Sequence, residues 1–134
     1  MSELFRFELV SPEKLVLAAE VQQVQVPGTE GDFGILAGHA PVMTSIRPGV
    51  LEVTTRSGSA KRFYVRGGFA EANHDSLVVL AQQSIDLEEL DARDLLQEIK
   101  NLEEDVADAN TDEQKNKAQF ALDRLIELQT ALDI

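Results

Sequence analysis

Glycine and proline are confined to the first 68 residues of this 134-residue chain, and that asymmetry limits its possible folds more than any other feature. All eight Gly and all four Pro lie before residue 69. The rest of the chain lacks both of the residues that interrupt helices. We therefore expect two domains, a turn-rich β domain over residues 1–84 and a helical domain over residues 85–134.

Charge follows the same division. Residues 1–85 carry 7 basic and 9 acidic side chains, whereas residues 86–134 carry 5 basic and 15 acidic, so the net charges are −2 and −10. The total of −12 gives a pI near 4.4. An acidic surface repels nucleic-acid phosphates and anionic lipid headgroups, so neither is an expected partner.

Several site classes are excluded by residue types that the chain lacks. Without Cys there is no disulfide, no thiolate nucleophile and no Cys-based metal site. No apolar run approaches the length of about 18 residues that spans a bilayer. The first residues do not resemble a signal peptide. We expect no cofactor, no metal and no direct membrane insertion.

Alternation of apolar and polar residues predicts short strands in the first domain. Turn signals such as Ser57-Gly58-Ser59, Gly67-Gly68 and Asn73-His74-Asp75 separate them. Strands punctuated this often predict an antiparallel sandwich or barrel. The predicted strands cover residues 4–10, 21–26, 42–46, 50–55, 62–65, 69–72 and 77–82.

Two helix-start signals occur in the second domain. Asp86 is placed to cap a first helix, with Ile85 stapling onto Leu90, and Thr111 with Gln114 fits a second capping box. Helices of about 22–24 residues would form an antiparallel hairpin ~35 Å long. Steps of three and four residues place one apolar stripe on each helix: Ala92, Leu95, Ile99, Leu102, Val106 and Ala109 on the first, and Ala118, Ala121, Leu122, Leu125, Leu128 or Gln129, and Leu132 on the second.

Chemistry-bearing motifs are scarce. The glycine-rich segment 27–34 contains Glu30 and Asp32, which would repel a phosphate, so its glycines are interpreted as turn residues. His39 and His74 are the two imidazoles. His39 precedes Ala40-Pro41 and is interpreted as a structural or interface residue, and His74 as part of a solvated turn. From the residues alone, the chain is a non-catalytic module that binds a protein partner.

Residues 26–50 (VPGTEGDFGILAGHAPVMTSIRPGV) closely resemble the signature of the epsilon subunit family of F-type ATP synthases. Residues 7–13 (FELVSPE), 64–71 (YVRGGFAE) and 85–91 (IDLEELD) also resemble this family, so the similarity spans nearly the whole chain. The resemblance implies a β-sandwich of about ten antiparallel strands followed by a helical hairpin, in agreement with the pattern described above.

The same resemblance implies a non-catalytic subunit of the central rotor. Its sandwich would bind the gamma subunit and the polar loops of the c-ring, coupling proton transport to ATP synthesis, while the hairpin would reach the alpha and beta subunits. Glu30, Asp32 and His39 align with the c-ring-facing region, with Asp32 as the leading contact and His39 second. The location implied is the cytoplasmic face of a bacterial inner membrane, as a peripheral protein.

The hairpin departs from the family in two respects. Some relatives bind ATP through a motif that consists of Ile or Leu, then Asp, any two residues, Arg and Ala. In this chain Asp91 and Arg93 belong to a degenerate version of that motif. The Arg comes one residue early, which turns it ~100° around the helix. Its net charge of −10 also opposes insertion against an acidic partner. We expect weak or absent ATP binding and weak or absent inhibition of ATP hydrolysis.

Two other functions are consistent with the same residues. A stand-alone binding module would use the sandwich for another partner and the hairpin for dimerisation. A small hydrolase or metal enzyme would use His39 with Asp32 or Glu30.

Overall fold

The computed structural model describes residues 3–134 and divides into two compact units, one ending at Glu89 and one beginning at Leu90. This division lies slightly beyond the 84/85 boundary, because β7 extends through Asp86. The strands are β1 Phe5–Val10, β2 Leu15–Gly28, β3 Gly31–Leu36, β4 Val42–Ser45, β5 Gly49–Thr55, β6 Ala60–Ala72 and β7 Ser76–Asp86, and the helices are α1 Ala92–Asp108 and α2 Asp112–Leu132.

The predicted β-sandwich is confirmed, with seven strands in the described residues where about ten were expected. Three long strands, β2, β6 and β7, contribute to both layers. The first part of β2 pairs with β1 and its second part with β3 and β5, while β6 pairs first with β5 and then with β4. The first part of β7 pairs with β1 and its end with the first part of β6. Counting each half separately gives ten strand segments, because one strand can serve two layers when it bends.

The expected all-antiparallel arrangement is wrong for one pair. β1 runs parallel to β7, with Arg6 opposite Ser76 and Val10 opposite Leu80. A short turn connects β1 to β2 and makes those two antiparallel, but β7 reaches the other side of β1 from a distant hairpin. Because no tight turn connects β7 directly to β1, these two strands can pair in parallel.

Gly67 and Gly68 bend one strand where the sequence predicts a turn between two. The predicted strands 62–65 and 69–72 are parts of β6. Gly68 has φ +112°, and a Cβ there would overlap the carbonyl oxygen of Leu80 on β7. The glycines therefore allow β6 to pass from one layer to the other without reversing direction.

The sandwich core contains alternate residues from both layers. The fully buried members include Phe7, Leu9, Val24, Val26, Ile35, Leu51, Val53, Val65, Leu77 and Val79. Their two-residue spacing along each strand agrees with the alternation predicted from the sequence.

The helical unit is a two-helix hairpin, as predicted, but its first helix begins later than expected. α1 is capped by Asp91, not Asp86, and the Asp86 carboxylate instead accepts a hydrogen bond from Glu88 N at 2.9 Å. The helices have 17 and 21 residues, shorter than predicted. The predicted Thr111 cap is confirmed, since Thr111 Oγ1 accepts from Gln114 N at 3.1 Å.

The apolar stripes account for burial in the hairpin. Leu95 and Ile99 on α1 and Leu122 and Leu128 on α2 are buried, and the two helices pack against each other. Among the described residues, no helix is long and apolar enough to cross a membrane.

Candidate functional site

The tip between β2 and β3 presents the acidic residues singled out in the sequence. β2 ends at Gly28 and β3 begins at Gly31, so Thr29 and Glu30 form a two-residue connection. A Cβ on Gly28 would lie 2.9 Å from the Phe33 ring, and Gly31 has φ +129°. Gly28 and Gly31 border this turn, in agreement with the interpretation of the glycines as turn residues, whereas Gly34 lies inside β3. A tight turn with exposed Glu30 and Asp32 results.

A groove between β3 and β4 collects the three predicted contact residues. Its volume is about 370 Å³, and its lining comprises Glu30, Gly31, Asp32, Phe33, His39, Val42 and Thr44. In the part of the chain that the structure describes, β3 pairs only with β2 and β4 only with β6. The groove is thus bordered by two edge strands, with Phe33 and Val42 as its apolar lining and the carboxylates on its rim.

Arg47 contacts the candidate site and was not singled out from the sequence. Its guanidinium forms an ion pair with the Asp32 carboxylate, and both side chains are about half-exposed. The two residues are 15 positions apart, and their proximity follows from pairing around Gly28 and Ile46. In the sequence Arg47 is followed by Pro48 and Gly49, and nothing in that local pattern specifies Asp32 as its partner.

His39 is held by backbone groups. Its Nδ1 donates to the carbonyl oxygen of Ala40 at 2.6 Å, and the preceding Gly38 N donates to His74 O at 2.6 Å. Within residues 3–134, no hydrogen bond or ion pair joins His39 to Glu30 or Asp32. The arrangement lacks the base–orienter hydrogen bond that a hydrolytic triad uses.

The degenerate nucleotide motif has a structural role. Asp91 Oδ1 accepts a hydrogen bond from Arg93 N at 2.8 Å, which makes Asp91 the N-cap of α1. A groove of about 410 Å³ on the hairpin is lined by Asp105, Asp108 and Lys117 but not by Asp91 or Arg93. No group of three His, Asp or Glu side chains in the described residues is arranged to hold a metal ion.

Comparisons with known proteins place these features in context. The model of the family "ATP synthase, Delta/Epsilon chain, beta-sandwich domain" matches residues 4–86. An ATP synthase epsilon chain from Parvibaculum lavamentivorans is 48% identical over 128 residues, covering 96% of this chain and 97% of that one. An epsilon chain from Mesorhizobium japonicum is 42% identical over 132 residues, covering 98% of each chain.

Two solved structures share the fold. A chain from the Euglena gracilis mitochondrial ATP synthase structure of OSCP, F1 and c-ring aligns with a TM-score of 0.74 and 24% identity, covering 96% of this chain and 81% of that one. A chain from the central stalk and c-ring of the Tetrahymena thermophila mitochondrial enzyme aligns with a TM-score of 0.58 and 16% identity, covering 97% and 98%.

Proposed function

The chain belongs to the ATP synthase delta/epsilon chain family, and on that premise we propose that it is a non-catalytic rotor subunit that binds gamma and the c-ring. In this role it couples proton translocation to ATP synthesis by transmitting rotation between the membrane sector and the catalytic head. The proposed location is the cytoplasmic face of a bacterial inner membrane, where other subunits hold the chain as a peripheral protein.

The groove between β3 and β4 supports the c-ring contact. Glu30 and Asp32 lie at the same turn, and the fold adds His39, seven residues beyond Asp32, to the lining of the same groove. This clustering is the observation that carries the assignment of a contact surface. Carboxylates on a projecting tip attract a basic side chain on a polar loop, and such attraction contributes to orientation and specificity more than to affinity.

Two exposed apolar residues on β3 and β4, the strands that border the groove, support a gamma contact on this part of the sandwich. Leu36 at the end of β3 and Met43 on β4 are 56% and 64% exposed. A contact with gamma would remove these two side chains from water, as protein–protein contacts do for exposed apolar surface. Burial of these two side chains would supply free energy that a rim ion pair of about 0–1 kcal/mol does not.

We further propose that the hairpin binds ATP weakly or not at all and inhibits ATP hydrolysis weakly or not at all. The Asp91 carboxylate is engaged in the α1 cap, and Asp94 adds negative charge in the first turn. The excess of acidic residues on the hairpin would oppose its entry beside an acidic segment of the beta subunit. We also propose that the hairpin contacts the alpha and beta subunits of the catalytic head.

Co-purification tests the rotor role. The chain is tagged, membranes are solubilised gently, and the recovered proteins are identified and quantified. We expect gamma, alpha, beta and the c-ring in fixed stoichiometry. Recovery of the chain alone would contradict the proposal and favour the stand-alone binding module.

Crosslinking tests the contact surface within the assembled complex. Asp32→Cys, paired with a cysteine in the polar loop of the c subunit, should give a disulfide crosslink on mild oxidation. Glu20→Cys on β2 is the matched control at an exposed position outside the groove. Crosslinking of the residue-32 cysteine to gamma, with none to the c subunit, would place the groove against gamma instead.

Truncation after Glu89 tests the hairpin's role, because this position lies at the end of the sandwich unit. The ATPase rate of the complex with the truncated chain should stay within about twofold of that with the full chain, since little inhibition is expected. An increase of tenfold or more on truncation would show that the acidic hairpin does inhibit.

A further inference from the structure

The end of the hairpin that contains the α1–α2 connection has no buried residue. The buried residues of the hairpin are Leu95, Ile99, Leu122 and Leu128, which lie before residue 100 or after residue 121. At every position from 100 to 121, all of which the structure describes, the side chain is exposed or only partly buried. The two helices therefore leave part of their facing surfaces unfilled at this end.

An open groove of about 410 Å³ lies at this end of the hairpin, and we call it the connection groove. α1 contributes Leu102 to its lining, whereas α2 contributes Ala118 and Ala121. Because an alanine side chain ends at Cβ, these two residues fill little of the space between the helices. The groove thus has an apolar lining that a side chain of another molecule can reach.

The charged residues of the connection groove are mainly acidic. Asp105 and Asp108 line it from α1 and Lys117 lines it from α2, which gives the lining a net charge of −1. Within residues 3–134, neither aspartate side chain has an ion pair or a hydrogen bond. The last turn of α1 contains no basic residue, so the partial negative charge of the helix C-terminus adds to that of the aspartates. The groove therefore favours a cationic group.

The spacing of these residues along α1 indicates the shape of the occupant. Leu102, Asp105 and Asp108 follow one another at intervals of three residues, so an apolar contact and two carboxylates succeed each other along one side of the helix. A second helix repeats its side chains at the same interval. One helix can thus place an apolar side chain beside Leu102 and cations beside the two aspartates.

We propose that the connection groove is a docking site for an amphipathic helical segment of a partner protein, in which a large apolar side chain is followed by Arg or Lys at three-residue spacing. The apolar side chain enters the groove and the cations pair with Asp105 and Asp108. This inference goes beyond the proposed rotor role, which uses the sandwich and does not depend on the connection groove.

A synthetic helical peptide tests the docking site on the purified full chain. The peptide has about 18 residues and carries one Leu with Arg three and six residues after it. Two matched peptides replace both Arg by Glu or the Leu by Ser. Fluorescence anisotropy at low ionic strength should give a Kd of about 10–100 µM for the Leu/Arg peptide and at least about tenfold weaker binding for each matched peptide. Physiological salt should weaken binding of the Leu/Arg peptide about three- to tenfold.

Three variants of the full chain locate the binding. Asp105→Asn with Asp108→Asn removes the two carboxylates, and Ala118→Leu fills the groove. Glu98→Gln with Glu103→Gln is the matched control, because it removes the same charge from exposed positions of α1 that do not line the groove. We expect the Leu/Arg peptide to bind about fivefold or more weakly to the first two variants and within about twofold of wild type to the control. Circular dichroism shows whether each variant keeps its helices.

Amide chemical shifts measured by NMR show where the peptide binds. In the wild-type chain the largest shift changes should lie within residues 102–121.

Two results would overturn the inference. Equal losses in the Asp105→Asn, Asp108→Asn variant and in the control would mean that overall acidity, not the groove, attracts the peptide. A dimer of the wild-type chain that Ala118→Leu dissociates would show that a second copy occupies the groove.

The rotor role is tested separately, because peptide binding is measured on the chain alone. Failure of the wild-type chain to co-purify with gamma would overturn the rotor role and leave this inference in place. Failure of the Leu/Arg peptide to bind would overturn this inference and leave the rotor role in place.

Discussion

The sandwich and the hairpin are built from contacts of different range. The sandwich core joins residues as distant in sequence as Phe7 and Val79, whereas the hairpin buries Leu95 and Ile99 on one helix and Leu122 and Leu128 on the next. The sandwich also pairs strands from opposite ends of its sequence, since β1 pairs with β7. The hairpin depends on end caps and on one short connection. Substitutions should therefore have larger effects in the sandwich than in the hairpin.

The largest expected effect is that of Gly68→Ala in the bend of β6. The added Cβ would overlap the Leu80 carbonyl oxygen, and φ of +112° is strained for any side chain. We expect a loss of about 4 kcal/mol or more in unfolding free energy, or failure to fold. Urea unfolding followed by the fluorescence of Tyr64, the single Tyr in a chain without Trp, measures it.

Gly58→Ala is the control for this substitution. Gly58 also has positive φ, at +91°, but a Cβ there would meet no atom within 4 Å. The free energy of unfolding of this variant should fall by about 1 kcal/mol, because only the strain of the positive φ is added. Equal losses at the two positions would show that the close approach of β7 to β6 contributes nothing.

A smaller but still large effect is expected for Leu51→Ala in the sandwich core. Leu51 is fully buried on β5, so truncation removes apolar contacts and leaves a cavity. We expect a loss of about 2–5 kcal/mol. Leu15→Ala, at a position that is 55% exposed, should change stability by less than about 0.5 kcal/mol. Similar results for both would mean that the core is loosely packed.

Apart from the control substitutions, the smallest effect is expected for Thr111→Ala in the hairpin. The substitution removes the hydroxyl that accepts from Gln114 N, so α2 should lose about 1 kcal/mol of stabilisation. Circular dichroism at 222 nm during thermal unfolding measures the loss, and Thr111→Ser should retain the wild-type value. A loss as large as that of Leu51→Ala would contradict the difference between the two units.

Prediction from sequence succeeded where a local pattern determines a local structure. Thr111 was identified as a cap because its partner is three residues away, and alternation identified β1, β5 and the first part of β7. The same reasoning failed at Asp86, where a plausible cap is the last residue of a strand paired with Phe63. Pairing with β6 extended β7 beyond the point at which the local signal indicated a helix.

The candidate site was also only partly accessible from sequence. Glu30, Asp32 and His39 were singled out, and the fold brings them to one groove. Arg47 was missed because an ion pair between residues 15 positions apart depends on how two loops approach each other. The strand β3 was missed because its glycines were interpreted as turn residues only.

The sequence by itself determined the order of the two units, the faces that each strand and helix buries, and the acidic character of the hairpin, since these depend on residue type and short spacing. Only the tertiary structure decided that β2, β6 and β7 each serve two layers, that β1 runs parallel to β7, and that Arg47 neutralises Asp32. The physical reason is that strand pairing and ion pairs form between distant residues, whose approach depends on the packing of the whole sandwich.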